Sequence, residues 1–164
     1  MRIDLKDIIE TQKLLDKSIH NNHHVTYDLV YPELKLALFV ELAELANEVR
    51  SFKFWSVKPS STREVILEEY ADGIHFITSL SIAKNVDGSI EIADNIKLLN
   101  KREITESFLQ LFSYVNKLDD PKKIKEWYTL YLTLGYGLGF TFEDITRVYF
   151  SKNQINFKRQ KDNY

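Results

Sequence analysis

Two pairs of carboxylate residues recur at helical spacing along the 164-residue sequence. Glu41 and Glu44 form the first pair, and Glu69 and Asp72 form the second. Three residues advance an α-helix by about 4.5 Å and leave two side chains about 60° apart, so each pair can face one point in space. If the two helices are antiparallel neighbours, four carboxylates converge in a largely apolar setting, which requires bound cations or protons. Oxygen ligands favour hard cations, Mg²⁺ first and Mn²⁺ second.

The same spacing also arises by chance in a helical protein rich in acidic residues. Two other pairs, Glu91–Asp94 and Glu103–Glu106, lie among asparagine, lysine, arginine and serine, as expected of a solvated face. The first candidate pair instead lies in the most apolar stretch of the chain. In the second pair, Asp72 precedes Gly73 in mid-helix, where glycine costs about 1 kcal/mol relative to alanine, and close approach of another backbone would explain it. Spacing alone leaves the metal-site and solvated-face interpretations both open.

Hydrophobic periodicity predicts the helices that must position these residues. The predicted helices cover roughly residues 5–19, 34–49, 62–84, 102–118, 122–134 and 142–157, and residues 90–100 are ambiguous. Asp4 is a candidate cap of the first helix, and two candidate capping boxes are Ser61 with Glu64 and Thr141 with Asp144. Proline occurs only at positions 32, 59 and 121, so long segments lack a helix breaker. The pattern predicts an all-α protein.

Composition narrows the function classes. The length fits one domain over residues 1–164, with no repeat or linker. The net charge of −2 argues against a general nucleic-acid or membrane-surface binder, and the absence of cysteine removes thiolate metal sites, disulfides and cysteine nucleophiles. The longest apolar stretch, Leu36–Val40, is too short to span a bilayer, and no apolar leader follows Met1. We therefore expect a cytoplasmic protein.

Further motifs extend the acidic pairs into a family resemblance. The motifs Glu41-x-x-Glu44 and Glu69-x-x-Asp72, with the loop Phe-Lys-Phe-Trp-Ser-Val-Lys-Pro at 52–59 between them, resemble the all-α nucleoside triphosphate pyrophosphatase superfamily. The run Gln-Lys-Leu-Leu-Asp at 12–16 and the C-terminal Lys-Asn-x-x-Asn-x-x-Arg-Gln pattern at 152–160 look more closely like the dimeric dUTPase family, bacterial and phage type. The family's tail usually ends near Gly-Tyr, whereas here Tyr164 follows Asp-Asn, which leaves its placement open.

The resemblance implies a fold and an activity. The fold is a four-helix-bundle core with additional helices, like that of the all-α NTP pyrophosphatases. The activity is Mg²⁺-dependent hydrolysis of dUTP and dUDP to dUMP by a homodimer, with Mn²⁺ as a possible substitute. The resemblance further implies that the C-terminal segment at about 149–164 is mobile and binds substrate.

Individual roles also follow from the resemblance. Mg²⁺ is held by Glu41, Glu44, Glu69 and Asp72, and Glu41 orients or deprotonates the attacking water, a role it could exchange with Glu44. Lys152, Asn156 and Arg159 share one helix face and suit phosphate oxygens, although a solvated basic C-terminus with a net charge of +3 has the same composition. Gln12 is placed at the uracil, and Trp55 and Lys58 are substrate contacts, Lys58 at a phosphate. His75 is one turn beyond Asp72, where it contacts the sugar or simply packs.

Two other functions remain as alternatives. A related all-α pyrophosphatase would act on dCTP or on a broad range of nucleotides, and base selectivity distinguishes it. A catalytically silent helical binding module would use the same acids only to solvate a helix, and removing Glu69 would then change nothing.

Overall fold

Six helices and two short strands make up the part of the chain that the structure describes, residues 1–162. In this computed structural model the elements are, in chain order, β1 (Arg2–Asp4), α1 (Lys6–His23), α2 (Tyr27–Val49), α3 (Arg63–Ala83), β2 (Ser89–Glu91), α4 (Lys101–Phe112), α5 (Pro121–Gly137) and α6 (Phe142–Lys161). The all-α prediction is confirmed, because β1 and β2 form a single antiparallel pair. Among residues 1–162, no helix is both long and apolar enough to cross a membrane. Tyr164 lies outside the described residues.

Helix α3 is the central element of the fold. It packs against α1, α2, α5 and α6, and its buried side chains occur on almost every turn. A helix that is apolar around most of its circumference is buried on most sides, as here. Asp72 and His75 lie on α3 where it faces α1 and α6, so the middle of the central helix carries polar groups into the core.

The first two helices are longer than predicted. Helix α1 continues to His23 instead of ending near residue 19, because the polar run after Ile19 contains no glycine or proline. Its N-cap is Leu5 rather than Asp4, although the Asp4 carboxylate accepts from the Lys6 amide at 3.0 Å. Helix α2 begins at Tyr27, seven residues before the predicted start, and includes Pro32. Proline in the second turn removes one N–H donor and did not end the helix.

The capping predictions had mixed outcomes. Thr141 and Asp144 form the predicted capping box at the start of α6. The predicted box of Ser61 with Glu64 is wrong, since α3 has Thr62 as its N-cap and no side-chain cap bond. The Ser61 hydroxyl instead donates to the carboxylate of Glu48 at the end of α2, so a tertiary contact replaces the local one.

Glycine in mid-helix is explained by two tyrosines. Tyr70 and Tyr131 stack with ring centroids 4.4 Å apart, and each hydroxyl donates to the backbone carbonyl of the other residue, at 2.8 and 2.9 Å. A Cβ at Gly73 would lie 2.7 Å from Cζ of Tyr131, and one at Gly135 would lie 2.6 Å from Cζ of Tyr70. Gly73 is therefore closely approached, but by the Tyr131 ring and not by another backbone as predicted, and the contact joins α3 to α5.

Three boundaries in the second half of the chain also differ from prediction. Helix α4 ends at Phe112 and is followed by turns, whereas one helix to residue 118 was expected. Helix α5 passes through Gly135 to Gly137, and Gly139 adopts a left-handed φ of 88° just after it. Helix α6 extends to Lys161, four residues beyond its predicted end. Strand β2 resolves the start of the ambiguous stretch at 90–100, where Ile90 pairs with Ile3 of β1.

Candidate active site

A cleft of about 600 Å³ opens between α1, α2, α3 and α6. Seven of the residues predicted for the site line this cleft: Gln12, Glu41, Asp72, His75, Lys152, Asn156 and Arg159. They come from four different helices, so only the tertiary fold brings them together. The other lining residues are Leu15, Asp16, Ile19, His20, His23, Val25, Val30, Glu33, Leu34, Ala37, Phe76 and Ser79.

An acidic cluster occupies the α2–α3 side of the cleft. Glu41, Glu69 and Asp72 each offer a carboxylate oxygen, and the three oxygens lie within 4.8 Å of one another. The predicted convergence of the two pairs therefore occurs for three of the four acids. Glu44 is exposed one turn further along α2 and lies close enough to Glu41 to repel it. The 60° offset between residues three apart turns Glu44 toward solvent.

The pKa values of Glu41, Glu69 and Asp72 are all raised, first by burial and then by the neighbouring carboxylates. Burial raises the pKa of Glu41 to about 7, and repulsion from Asp72, Glu44 and Glu69 adds to the effect. Burial also raises the pKa of Glu69 and of Asp72, which Lys152 opposes in both cases. The Lys152 ammonium forms an ion pair with the Asp72 carboxylate across the α3–α6 contact. One fixed cation thus compensates part of the negative charge in the cleft.

The donor set of this cluster fits a hard divalent cation. All three ligand atoms are carboxylate oxygens, which suit Mg²⁺, Mn²⁺ or Ca²⁺ and do not select zinc or copper. Glu41, Glu69 and Asp72 could hold such an ion, with Glu44 next to them on the solvent side. Burial first and the neighbouring carboxylates second raise the pKa of Glu41, and a bound cation would favour its charged form against both effects.

Opposite the acids, the face of α6 presents basic and amide groups. Lys152, Asn156 and Arg159 line the cleft together. The Arg159 guanidinium donates to the side-chain amide oxygen of Asn156 at 3.4 Å. Its positive charge also lowers the pKa of Asp72. Two positive charges and an amide therefore line the same cleft as Glu41 and Asp72, and Glu69 completes the acidic cluster beside them. Phosphate oxygens, together with a cation, match both walls.

A buried polar network lies at the α1 side of the cleft. The Gln12 amide nitrogen donates to Asp16 at 2.8 Å and to Ser79 at 3.2 Å. The Gln12 carbonyl oxygen accepts from the Tyr149 hydroxyl at 2.8 Å and lies 2.8 Å from His75 Nδ1. All four groups bonded to Gln12 belong to the protein, so its amide is held in one orientation.

His75 is packed and neutral. Burial lowers its pKa to about 3, and its ring stacks on Tyr149 with centroids 4.3 Å apart. Only 5 % of the residue is exposed, and within residues 1–162 its Nε2 has no hydrogen-bond partner. The side chain is therefore a packed core residue that also lines the cleft, and its contact with the sugar stays a prediction.

The loop residues Trp55 and Lys58 do not line the cleft described here. They lie in the segment between α2 and α3, where Trp55 is 65 % exposed and its ring contacts Phe52 and Phe54 edge-on. The loop is anchored to the end of α2, because the Arg50 guanidinium donates to Ser56 at 2.7 Å and to the Lys58 carbonyl at 3.3 Å. The structure therefore leaves both side chains at the surface.

Sequence reasoning missed the residues that hold Gln12 and His75. Asp16 is buried and accepts from Gln12, Ser79 and Tyr27. Its position four residues after Gln12 put it on the same helix face, which was a usable signal. Ser79 gave no comparable signal, since its partners lie on another helix.

Comparison with known proteins agrees with this geometry. A profile of the dUTPase family matches residues 4–164, nearly the whole chain. A search of curated proteins returned no match. Clustered carboxylates that could hold a divalent cation, beside basic groups in one cleft, are compatible with phosphoanhydride hydrolysis. With the match covering almost every residue, the chain belongs to the all-α dimeric dUTPase family and is a hydrolase of phosphoanhydride bonds, a dUTP diphosphatase.

Proposed function

We propose that the protein hydrolyses dUTP and dUDP to dUMP in a Mg²⁺-dependent reaction, releasing pyrophosphate or phosphate, with Mn²⁺ as a substitute. The observation that carries this proposal is the meeting of three carboxylates and the Lys152 ammonium in one cleft. Bound Mg²⁺ would neutralise phosphate charge and make a water nucleophilic at neutral pH. The substrate's triphosphate then lies between the acidic wall and the basic face of α6.

The phosphate end of the site uses side chains from three helices. Glu41, Glu69 and Asp72 hold the metal, and Glu44 adds a ligand from the solvent side. Glu41 orients or deprotonates the attacking water, and its pKa of about 7 before metal binding supports that choice. Lys152 and Arg159 bind phosphate oxygens, for which Lys152 exchanges its contact with Asp72 for one with substrate.

The nucleoside end occupies the remaining part of the cleft. Its volume of about 600 Å³ suits a small ligand. Leu15, Ile19, Leu34 and Phe76 supply apolar walls there. Gln12 and His75 supply the polar contacts to uracil and deoxyribose. Because the Gln12 amide is already saturated by protein partners, a base contact requires it to exchange one of them.

Assembly and the flanking segments belong to the same proposal. Helix α2 carries exposed apolar side chains at Leu29, Leu36 and Val40, which are 65 %, 68 % and 45 % exposed, and contiguous apolar surface is typical of an interface. We assign this face to the homodimer. Trp55 and Lys58 become substrate contacts when the loop between α2 and α3 moves or when it reaches a partner subunit's site. In the C-terminal segment, residues 150–162 should gain protection from amide exchange when substrate binds.

The organisation and location of the protein follow from the same function. Residues 1–164 act as a single nucleotide pyrophosphatase domain in the cytoplasm, where deoxynucleotides are used. Neither a nucleic acid nor a membrane is a partner, in keeping with the net charge of −2.

The test is phosphate or pyrophosphate release from each deoxynucleoside triphosphate, and from dUDP, with Mg²⁺ and with chelator. We expect turnover confined to uracil nucleotides and abolished by Glu69→Gln. Glu68→Gln, which changes the exposed neighbour on α3, is the matched control and should retain full activity. Turnover of dCTP or of several bases would refute uracil selectivity and favour a related pyrophosphatase. No release from any nucleotide would refute the enzyme and leave a binding module.

A further inference from the structure

Asp16 is a buried carboxylate that the proposed reaction does not use. It is 5 % exposed and lies on α1, one turn beyond Gln12. Its two oxygens receive three hydrogen bonds, from Gln12 Nε2 at 2.8 Å, from Ser79 Oγ at 3.0 Å and from Tyr27 Oη at 2.6 Å. Burial raises the pKa of the Asp16 carboxyl, and the three hydrogen bonds oppose that rise. In each of the three hydrogen bonds, the partner is the donor, and the Asp16 carboxylate therefore acts only as an acceptor.

The carboxylate decides which way the Gln12 amide points. If the amide were turned over, its carbonyl oxygen would face the Asp16 carboxylate, and two acceptors would meet in a buried site. The nitrogen must therefore face Asp16, and the oxygen must face Tyr149 and His75. The Gln12 oxygen indeed lies 2.8 Å from the Tyr149 hydroxyl and 2.8 Å from His75 Nδ1.

The Gln12 oxygen in turn decides which nitrogen of His75 carries the hydrogen. A carbonyl oxygen only accepts, so the hydrogen of the neutral imidazole is on Nδ1. The other nitrogen, Nε2, then bears a lone pair. It is buried on a residue that lines the cleft and has no hydrogen-bond partner within residues 1–162. Burying an acceptor without a partner is costly, so the group suits a ligand that brings a donor.

We infer that Asp16 is a positioning residue: through the Gln12 amide it holds His75 in the Nδ1–H form, so that Nε2 accepts from a hydrogen-bond donor of the nucleotide. The step that concerns the nucleotide rests on the proposed function, whereas the tautomer itself does not. A nucleotide with a uracil base and a deoxyribose offers two such donors, the imide N–H and the 3′-hydroxyl. Both present the same chemistry to Nε2, and the experiment separates them.

The first measurement is the tautomer of His75, read from long-range ¹H–¹⁵N spectra of the full chain without nucleotide. We expect the wild type to show the Nδ1–H form. Asp16→Asn can donate as well as accept, so it allows the Gln12 amide to turn over and should populate the Nε2–H form. Tyr27→Phe removes one bond to Asp16 but keeps the carboxylate, so it should retain the Nδ1–H form. A wild type in the Nε2–H form, or an Asp16→Asn protein that keeps Nδ1–H, would overturn the inference.

The second measurement is steady-state kinetics with dUTP. Loss of one neutral hydrogen bond to bound substrate should raise KM about threefold to tenfold in Asp16→Asn, with kcat little changed. Tyr27→Phe should stay within about twofold of wild type. A changed tautomer without a change in KM would overturn the role of Nε2 in binding. If the wild type fails to hydrolyse dUTP, the proposed function fails, while the spectra still decide whether Asp16 sets the tautomer.

Substrate analogues identify the donor. N3-methylated dUTP lacks the imide N–H, and 2′,3′-dideoxy-UTP lacks the 3′-hydroxyl. The analogue that lacks the relevant donor should bind equally to the wild type and to Asp16→Asn, because the contact that distinguishes the two proteins is absent. If both analogues still distinguish the two proteins, neither donor meets Nε2 and the inference is overturned.

Discussion

Replacing Glu41 by glutamine removes one negative charge from the acidic cluster at nearly constant shape. In the metal-free protein the pKa of Glu41 is raised from 4.5 to about 7, first by burial and then by Asp72, Glu44 and Glu69. A group whose pKa is raised on folding binds more protons in the folded state, so stability falls as pH rises through the interval from 4.5 to about 7. Glutamine does not titrate, so the variant does not lose this stability as the pH rises.

The magnitude follows from the size of the change. At about 1.4 kcal/mol per pKa unit, a fully buried group would lose about 3 kcal/mol above pH 7. Because Glu41 is half-buried, solvent screens part of the repulsion, and we expect about 1–2 kcal/mol. Glu41→Gln should therefore be more stable than wild type by that amount at pH 8 in chelator, and by only about a quarter of it at pH 5. For a domain of this size the gain corresponds to about 2–8 °C in Tm.

The assay is unfolding by denaturant and by heat, in chelator, at pH 5 and pH 8. The comparison between the two proteins is necessary because His75 acts in the opposite direction. Its pKa falls from 6.5 to about 3 on folding, so it removes stability as pH falls through that interval. That contribution is common to both proteins and cancels in their difference. Glu68→Gln, at an exposed position on α3, controls for the loss of a carboxylate as such.

Two results would refute this reasoning. A Glu41→Gln protein that is less stable than wild type at pH 8 would mean that the carboxylate is stabilised by its surroundings in the metal-free state. A stability difference that does not change between pH 5 and pH 8 would mean that titration of Glu41 has no part in it. Activity gives an independent readout, since Glu41→Gln should lose nearly all turnover whatever its stability.

Three further predictions test the packing, the metal and the assembly. Gly73→Ala should destabilise the protein by about 1–3 kcal/mol in denaturant unfolding, because its Cβ would meet the Tyr131 ring; an unchanged midpoint would contradict the packing argument. Mg²⁺ at about 100 times its Kd should stabilise the wild type by about 2.7 kcal/mol and leave the stability of Glu69→Gln nearly unchanged. Thermal-shift measurements test this, and equal shifts in both proteins would mean that the ion binds elsewhere. Leu36→Glu puts a charge on the exposed apolar face of α2 and should yield a monomer in sedimentation, while an intact dimer would exclude this face as the interface.

The acidic cluster was predictable because its signal is local. Two residues three apart on one helix share a direction whatever the fold, and the apolar surroundings of Glu41 indicated that this direction is inward. The pairing of α2 with α3 followed from the short loop between them. What spacing could not decide was which carboxylate turns to solvent, and Glu44 does so because its offset places it at the rim.

Apart from Asp16, which lies on the same helix, the network around Gln12 could not be predicted from the sequence, because its signal is not local. Its partners come from three helices that are far apart in the chain, with Ser79 67 residues and Tyr149 137 residues from Gln12. No periodicity links such residues. Helix boundaries were mispredicted for a similar reason, because contacts with other helices are not visible in local spacing. Ser61 bonds to Glu48 on another helix instead of capping α3. Helix α2 also continues through Pro32.

The acidic wall of the cleft is incompletely compensated in the free protein. The acids of α2 and α3 repel one another, and Lys152 compensates only Asp72 directly. A metal ion alone would relieve the acids while releasing Lys152, and a phosphate alone would bind the α6 face while leaving the acids in repulsion. In the proposed function, a metal-bound nucleotide would compensate both walls together, because the carboxylates would hold the cation and Lys152 and Arg159 would bind the phosphates. We therefore expect the metal ion and the nucleotide each to strengthen binding of the other.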